Sequence, residues 1–372
     1  MYTAPVLDFY YRGRIGGVYS VSYVFRTLLE ELVRRKMACA ITPDDREVRG
    51  PVHETLRQRF VASPLTDRRA ARVGISGCAP AQYKTHVVGV LRAAILNFEA
   101  RVRVPLGPRT AITLLDLVLP SSCFSDEVLA ANGVPASARA VLPHAIDADA
   151  LSRIALPRAG RFTVLVVAAN HARKNLDRCI AAFTAAFPDG DAELHLRVNP
   201  LRDDVPRKRF EIDMHDLMAT APANVRWLRD DVADLAALYR NAHAVLSLSS
   251  GEGFGLPLLE ALAAGCLVIA PRYSGPLDFL SDENALLIDT KERDTPKEAQ
   301  YLPDDALDPA AKDGWPDFDH AVALLNKARS DYAALFAAHR LKARATAEAH
   351  RPAPIVDRLL ALCEARGVTW GG

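Results

Sequence analysis

The chain has 372 residues, half of them hydrophobic and 24% charged, which excludes a disordered or fibrous protein and leaves room for two domains. Its net charge of +1 conceals an uneven distribution: residues 1–160 carry 21 Lys/Arg against 14 Asp/Glu, and the remainder 25 against 31. No apolar run reaches the roughly 18–20 residues of a membrane span. The longest, 255–271, is interrupted by Glu260, and the N-terminal segment lacks signal-peptide form, so a cytoplasmic protein is expected. Cys39, Cys78, Cys123, Cys179, Cys266 and Cys363 have neither CxxC nor Cys/His spacing and read as reduced thiols, not metal ligands or disulfides.

"PVLDFYY" (5–11) is apolar enough for a buried strand, and "RGRIGGVYS" follows it as a glycine-rich loop. Val21, Val24, Leu28 and Leu32 then recur at helical spacing. Strand, glycine loop and helix in this order open a doubly wound nucleotide-binding sheet. Further on, "HVVGVL" and "LLDLVLPS" read as strands, "SDEVLAANGV" as a helix with a Gly cap, and "AVLPHAID" (140–147) as a strand leading into a turn shaped by His144 and Asp147.

"LPRAGR" (156–161) has linker composition, and the pattern then restarts. "FTVLVVAA" (162–169) is a continuous apolar strand of parallel-sheet type, and Leu176, Ile180, Phe183 and Phe187 form the buried stripe of the next helix. "ELHLRV", "NVRWL", "AVLSL", "CLVIA" and "ALLID" are further strands at α/β spacing. Residues 290–316 are polar and proline-bearing and read as an excursion outside the sheet, before helical sequence resumes. The expected class is α/β with two Rossmann-like domains, 1–157 and 158–349, facing each other across a cleft where ligands bind. A last helix, about 350–372, is expected to pack back toward the first domain.

The most informative stretch is "SSGEGFGLPLLEA" (249–261). A strand should end near Ser249 and a helix begin near Pro257, with Gly253 and Gly255 allowing close backbone approach to a ligand. The helix start offers unpaired amides and the positive end of the dipole, an anion site. Glu252 and Glu260 would flank that anion and accept from hydroxyl groups. A phosphate with hydroxyl-bearing groups on both sides describes a nucleotide sugar.

With these residues in place, "EGFGLPLLEALAAGCLVIAP" resembles the E-x7-E signature of family 4 of the retaining glycosyltransferases, of GT-B architecture. The resemblance covers roughly residues 110–290 well, the first 40 weakly and residues 45–95 hardly at all. It implies that Glu252 contacts the transferred sugar, Glu260 the ribose, and the amides of Gly253, Phe254, Gly255 and Leu256 the diphosphate. In "NHARKNLDRCIAAF" (170–183), Lys174 matches the family's lysine on the leaving diphosphate and Arg173 adjoins it. Ala169–Asn170 stands where the family carries a Gly-Arg pair, which leaves Asn170 as a donor-binding candidate. "RIGGVY" resembles the first-domain glycine loop, with Gly16 and Gly17 beside the phosphates, and Glu99 resembles an acidic acceptor-side position. His86 receives no role.

The implied reaction is metal-independent sugar transfer with retention, catalysed by Lys174, Arg173 and Glu252, using a nucleoside-diphosphate sugar as donor substrate and no cofactor. Asp203–Asp204 and Asp230–Asp231 read as loop acids and not as a D-x-D metal motif. A nucleotide-sugar epimerase on the same fold and a non-catalytic sugar-nucleotide binder stay open as alternatives; a phosphorylase would need a far longer chain. The basic first half is compatible with an anionic glycan, a lipid-linked or phosphorylated acceptor, and peripheral contact with the inner membrane face. A nucleic-acid partner lacks the interleaved aromatic pattern of a strand binder.

Overall fold

The computed structural model describes residues 7–13, 20–43, 71–77, 83, 89–152, 160–198, 210–229, 235–300 and 307–370. The first strand, β1 (Phe9–Gly13), is followed by helix α1 (Ser20–Arg34), β2 (Cys39–Pro43), β3 (Val73–Gly77), β4 (Leu91–Ile95), α2 (Leu106–Thr113), β5 (Leu117–Leu119) and α3 (Cys123–Ala131). The five strands form one parallel sheet in the order β2-β1-β3-β4-β5, a doubly wound topology. Leu28 and Leu32 of α1 are buried in the core of this sheet, and Val24 is buried as well, as the helical spacing requires.

Two segments of this unit differ from expectation. The strand expected at "HVVGVL" is observed at Leu91–Ile95, where Arg92 breaks the apolar pattern and lies on Asp116 at 2.9 Å. Residues 140–147 form no ladder. Arg139 makes an isolated bridge to Val118, and Leu142 N–H donates to the carbonyl of Pro120 at 2.8 Å, so the stretch is apolar because it is buried, not because it pairs. His144 is buried with Nε2 3.0 Å from Asn97 Nδ2; burial, with His350 nearby, pushes its imidazole down to about 3. Asp147 N–H donates to the Tyr23 hydroxyl at 2.8 Å.

The second unit contains α4 (Ala148–Ser152), β6 (Phe162–Ala168), α5 (Leu176–Ala186), β7 (Ala192–Val198), α6 (Met214–Ala219), β8 (Val225–Trp227), α7 (Leu235–Tyr239), β9 (Ala244–Leu246), α8 (Leu256–Ala263), β10 (Leu267–Pro271) and β11 (Leu286–Ile288). Its parallel sheet has the order β11-β10-β9-β6-β7-β8, the Rossmann arrangement. Val164, Leu165 and Val166 are all buried because helices cover both faces of a parallel sheet. Leu176, Ile180, Phe183 and Phe187 bury the expected stripe of α5.

Residues 290–316 leave the parallel sheet as expected, but they are not devoid of strand. β12 (Thr290–Asp294) and β13 (Lys312–Pro316) form an antiparallel pair. Its polar composition is explained by what holds it: Arg293 pairs with buried Asp313 at 3.0 Å, and Arg178 and Arg293 lie over the Trp315 ring at 3.8 and 3.5 Å. Helices α9 (Phe318–Ser330) and α10 (Tyr332–Ala349) close this unit, and α11 (Pro352–Glu364) follows.

By compactness the described residues group as Met1–Phe98, Arg103–Asp147 and Ala349–Gly372 in one unit, and Glu99–Val102 with Ala148–Glu348 in the other. Within the first unit α11 buries Ile355, Val356 and Leu359 in the sheet's core, and Trp370 stacks on Phe9 at 5.2 Å. Among the described residues no helix is long and apolar enough to cross a membrane.

Candidate active site

In the second unit's sheet the winding direction reverses between β6 and β9, which are paired neighbours although five elements separate them in sequence. Ligands of doubly wound sheets bind at the carboxyl ends of the strands at such a switch point. Residues 170–175 leave β6 there and residues 247–255 leave β9, so the topology alone brings together the two stretches singled out in the sequence.

After β6 the chain makes a single 3-10 turn, Ala172–Lys174, started by His171, whose Nδ1 accepts from Arg173 N–H at 3.2 Å. The turn ends on Asn175 in the left-handed region, φ +49°, a conformation that Asn tolerates better than most residues. Asn175 Nδ2 donates to the carbonyl of Leu248 at 2.7 Å and to Ser250 Oγ at 3.0 Å, and Ser250 N–H donates to the carbonyl of Arg173 at 2.8 Å. Three hydrogen bonds thus fasten the Arg-Lys turn to the corner that carries Glu252.

The side chains converge as a result. Arg173 donates to the carbonyl of Gly251 at 2.6 Å and to Ser249 Oγ at 3.2 Å, and its guanidinium lies 3.1 Å from Glu252 and 3.5 Å from Glu99. Lys174 Nζ donates to the other oxygen of Glu252. Two cations and two carboxylates therefore form one mostly buried network. Burial alone would raise the Glu252 carboxyl, but Lys174 and then Arg173 overcome it and hold Glu252 at about 2. Burial, reinforced by the charge of Arg173, pushes the Lys174 ammonium down, and Glu252 opposes that shift.

The corner itself rests on close backbone contacts. Glu252 N–H donates to Ser274 Oγ at 2.9 Å, and Gly275 N–H donates to the carbonyl of Glu252 at 3.0 Å. Gly255 adopts φ +92° as the residue before α8, and Pro257 occupies the first turn. Pro257 has no amide hydrogen, and the N–H groups of Leu258 and Leu259 turn back to the carbonyl of Gly255 at 2.9 and 3.4 Å. In the first turn of α8 it is therefore the N–H of Leu256 that has no carbonyl of its own helix to receive it. Phe254 is buried against Phe279, ring centroids 5.1 Å apart.

Glu260 is also buried, 7% exposed, and Tyr239 donates to its Oε2 at 2.6 Å. Burial pushes its carboxyl from the ordinary 4.5 up to about 7, with Tyr239 pulling the other way. Between those values the folded protein binds more protons at this group than the unfolded chain, so Glu260's contribution to stability is fullest below about pH 4.5 and is lost as pH rises to 7. That decline is on the order of 3 kcal/mol at 1.36 kcal/mol per unit. Glu260→Gln, which cannot titrate, should flatten this part of the stability curve; thermal melts of both proteins between pH 5 and 8 check it, and an equal decline in the variant would remove Glu260 as its source.

Of the residues expected at the site, Arg173, Lys174, Glu252 and Glu99 form one contact network, with Gly253, Phe254, Gly255, Leu256 and Glu260 on the adjoining corner and helix. Asn170 stands apart: its amide donates to the carbonyl of Ile212 and accepts from Ile212 N–H, both at 2.9 Å. Gly16, Gly17, His86, Asp203, Asp204, Asp230 and Asp231 lie outside the described residues. Sequence reasoning missed Asn175, Ser249, Ser274 and Tyr239; the left-handed preference of Asn before a helix was the one local signal available.

The fold is the GT-B type, two doubly wound units, and solved structures share it. A glycosyltransferase from Rickettsia africae matches 96% of this chain with 98% of its own, at 10% identity and a TM-score of 0.67. HepE of Anabaena in complex with UDP and glucose matches 96% with 100% of its own, at 12% identity and a TM-score of 0.66. Sucrose-phosphate synthase from Thermosynechococcus elongatus matches 97% with 99%, at 15% identity and a TM-score of 0.66. The family model described as Glycosyl transferases group 1 matches residues 147–299, which include the whole ion network except Glu99. The MMP alpha-(1->4)-mannosyltransferase of Mycolicibacterium hassiacum is 27% identical over 174 residues, 45% of this chain; the match spans 40% of that relative's length.

Proposed function

We propose that the chain is a glycosyltransferase that moves a sugar from a nucleoside-diphosphate sugar to a hydroxyl acceptor with retention of configuration, as a member of family 4. The observation that carries this reading is the network of Arg173, Lys174, Glu252 and Glu99 at the switch point, beside the amide end of α8. In the absence of donor, two cations balance two carboxylates. An arriving diphosphate takes Lys174 from Glu252 and accepts from the amides of residues 253–256, while Glu252, released, accepts from the sugar's hydroxyls. As the anomeric carbon–oxygen bond breaks, its electron pair moves onto the leaving diphosphate, where Lys174 and Arg173 meet the growing charge. The acceptor oxygen bonds to the anomeric carbon from the same face and passes its proton to the leaving diphosphate oxygen. Charge neutralisation by two side-chain cations makes a metal ion unnecessary to this scheme. In this scheme Glu260 accepts from the hydroxyls of the ribose that follows the diphosphate.

Support for the donor class also comes from HepE, solved in complex with UDP-glucose, and support for sugar transfer from the mannosyltransferase relative. Six cysteines without CxxC or Cys/His spacing favour a reducing compartment and hence a cytoplasmic site of action. The excess of cations in residues 1–160 favours an anionic acceptor, including a lipid-linked one at the inner membrane face. Incubating the purified chain with UDP-glucose, UDP-galactose, UDP-N-acetylglucosamine and GDP-mannose, and measuring released nucleoside diphosphate, tests the reading. One donor should be hydrolysed at least tenfold faster than the rest; neither binding nor release with any of them would overturn the proposal.

A further inference from the structure

The second carboxylate of the corner has a buried partner. Tyr239, the last residue of α7, is fully enclosed, and its hydroxyl donates to Glu260 Oε2 at 2.6 Å, with the carbonyl of Pro257 a longer second acceptor at 3.4 Å. The ring is seated at the turn after α7, where Cys266 Sγ lies 3.4 Å from the carbonyl of Ala242 and 4.0 Å from that of Tyr239. Oε1 of Glu260 accepts from no described residue and is not among the side-chain oxygens shut off from solvent. The protein supplies a donor to Oε2 and leaves Oε1 open to the hydroxyl of a ligand.

We propose that Tyr239 is a positioning residue for the nucleotide end of the donor: its hydroxyl pins Oε2 so that Glu260 presents Oε1 to the ribose diol. The inference rests on the nucleotide-sugar reading above and deepens it. A ribose diol supplies two O–H donors, and a carboxylate fixed at one oxygen can receive them without reorganising on binding. Tyr239 acts through Glu260 and touches no reacting atom, so its effect falls on donor affinity and on the choice between ribose and deoxyribose. Turnover of bound donor should be left nearly intact.

The test uses the full chain, with UDP, GDP and their 2′-deoxy forms as probes in titration calorimetry, and donor hydrolysis for KM and kcat. The wild type should bind the preferred ribonucleotide at least tenfold more tightly than its 2′-deoxy form. Tyr239→Phe, which keeps the ring and removes only the hydroxyl, should bring that ratio within threefold and raise the donor KM about tenfold, with kcat within threefold. In a Glu260→Ala background Tyr239→Phe should have no further effect on affinity, because the two residues act as one unit. A structural role alone would weaken ribo and deoxy forms equally. An unchanged ratio in Tyr239→Phe, an effect that persists without Glu260, or a wild type that binds but ignores the 2′-hydroxyl overturns this proposal and leaves the nucleotide-sugar reading standing. A wild type that binds neither UDP nor GDP overturns both.

Discussion

Replacing Lys174 by alanine should lower turnover at least a hundredfold while the protein stays folded. Lys174 holds one oxygen of Glu252, and Arg173 lies 3.1 Å from the other. In the free protein the ammonium balances a carboxylate; in the proposed reaction it would exchange that partner for the departing diphosphate, whose charge grows as the bond breaks. Removing one preorganised charge-stabilising group costs about 2.7–4 kcal/mol of transition-state stabilisation, a factor of 100 to 1000. Because the interaction strengthens as the bond breaks, the loss should fall on kcat more than on KM. Breaking a buried ion pair also destabilises, by about 3–5 kcal/mol when the remaining charge is left bare. Here Arg173 still faces Glu252, so the stability loss should be smaller than that. The double variant Lys174→Ala with Glu252→Ala separates the two effects: its melting temperature should recover, and its turnover should not. A folded Lys174→Ala protein with near-normal turnover would remove Lys174 from the chemistry.

The parts of this site that could be read in the sequence are those where one residue type has few other uses. An E-x7-E pair around Gly-Phe-Gly and Pro fixed the helix start, and β6, β9 and β10 were legible because parallel strands covered on both faces are unbroken apolar runs. Lys174 and Glu252 could each be given a role through the family resemblance, but nothing in the sequence pointed to their ion pair. What stayed hidden depends on contacts between segments far apart in the chain. Asn175 earns its place by reaching Leu248 and Ser250, some 75 positions away, and Ser249 by receiving Arg173. Tyr239 reads as an ordinary helical aromatic until α8 is packed beside it. The β12–β13 pair was read as a polar excursion because ion pairs and arginines over Trp315 hold it, not an alternating apolar face. The opposite error at 140–147 has the same cause: burial makes a segment apolar whether or not it pairs.

The second large effect is expected at a residue with no side chain. Gly275 opens the short 3-10 turn after β10, and its N–H donates to the carbonyl of Glu252 at 3.0 Å. A Cβ there would lie 2.2 Å from the carbonyl oxygen of Gly253 and 2.8 Å from that of Glu252, and backbone atoms cannot swing aside as a flexible side chain can. Gly275 is not in the left-handed region, so the objection to alanine is contact and not conformation. The corner at 252–253 would have to move, which displaces the Glu252 carboxylate from Lys174 and the amides from the diphosphate together. Misplacement by about 1 Å is enough to cost a hundredfold in rate. Gly275→Ala should therefore lower turnover at least a hundredfold, raise the donor KM and lower the melting temperature. The control is Gly107→Ala in α2, where an added Cβ meets nothing within 4 Å. There alanine should stabilise by up to about 1 kcal/mol through helix propensity and a less flexible unfolded chain, and activity should be unchanged. Full activity in Gly275→Ala would mean that the corner tolerates displacement, and the anion site would then have to be sought away from the amides of residues 253–256.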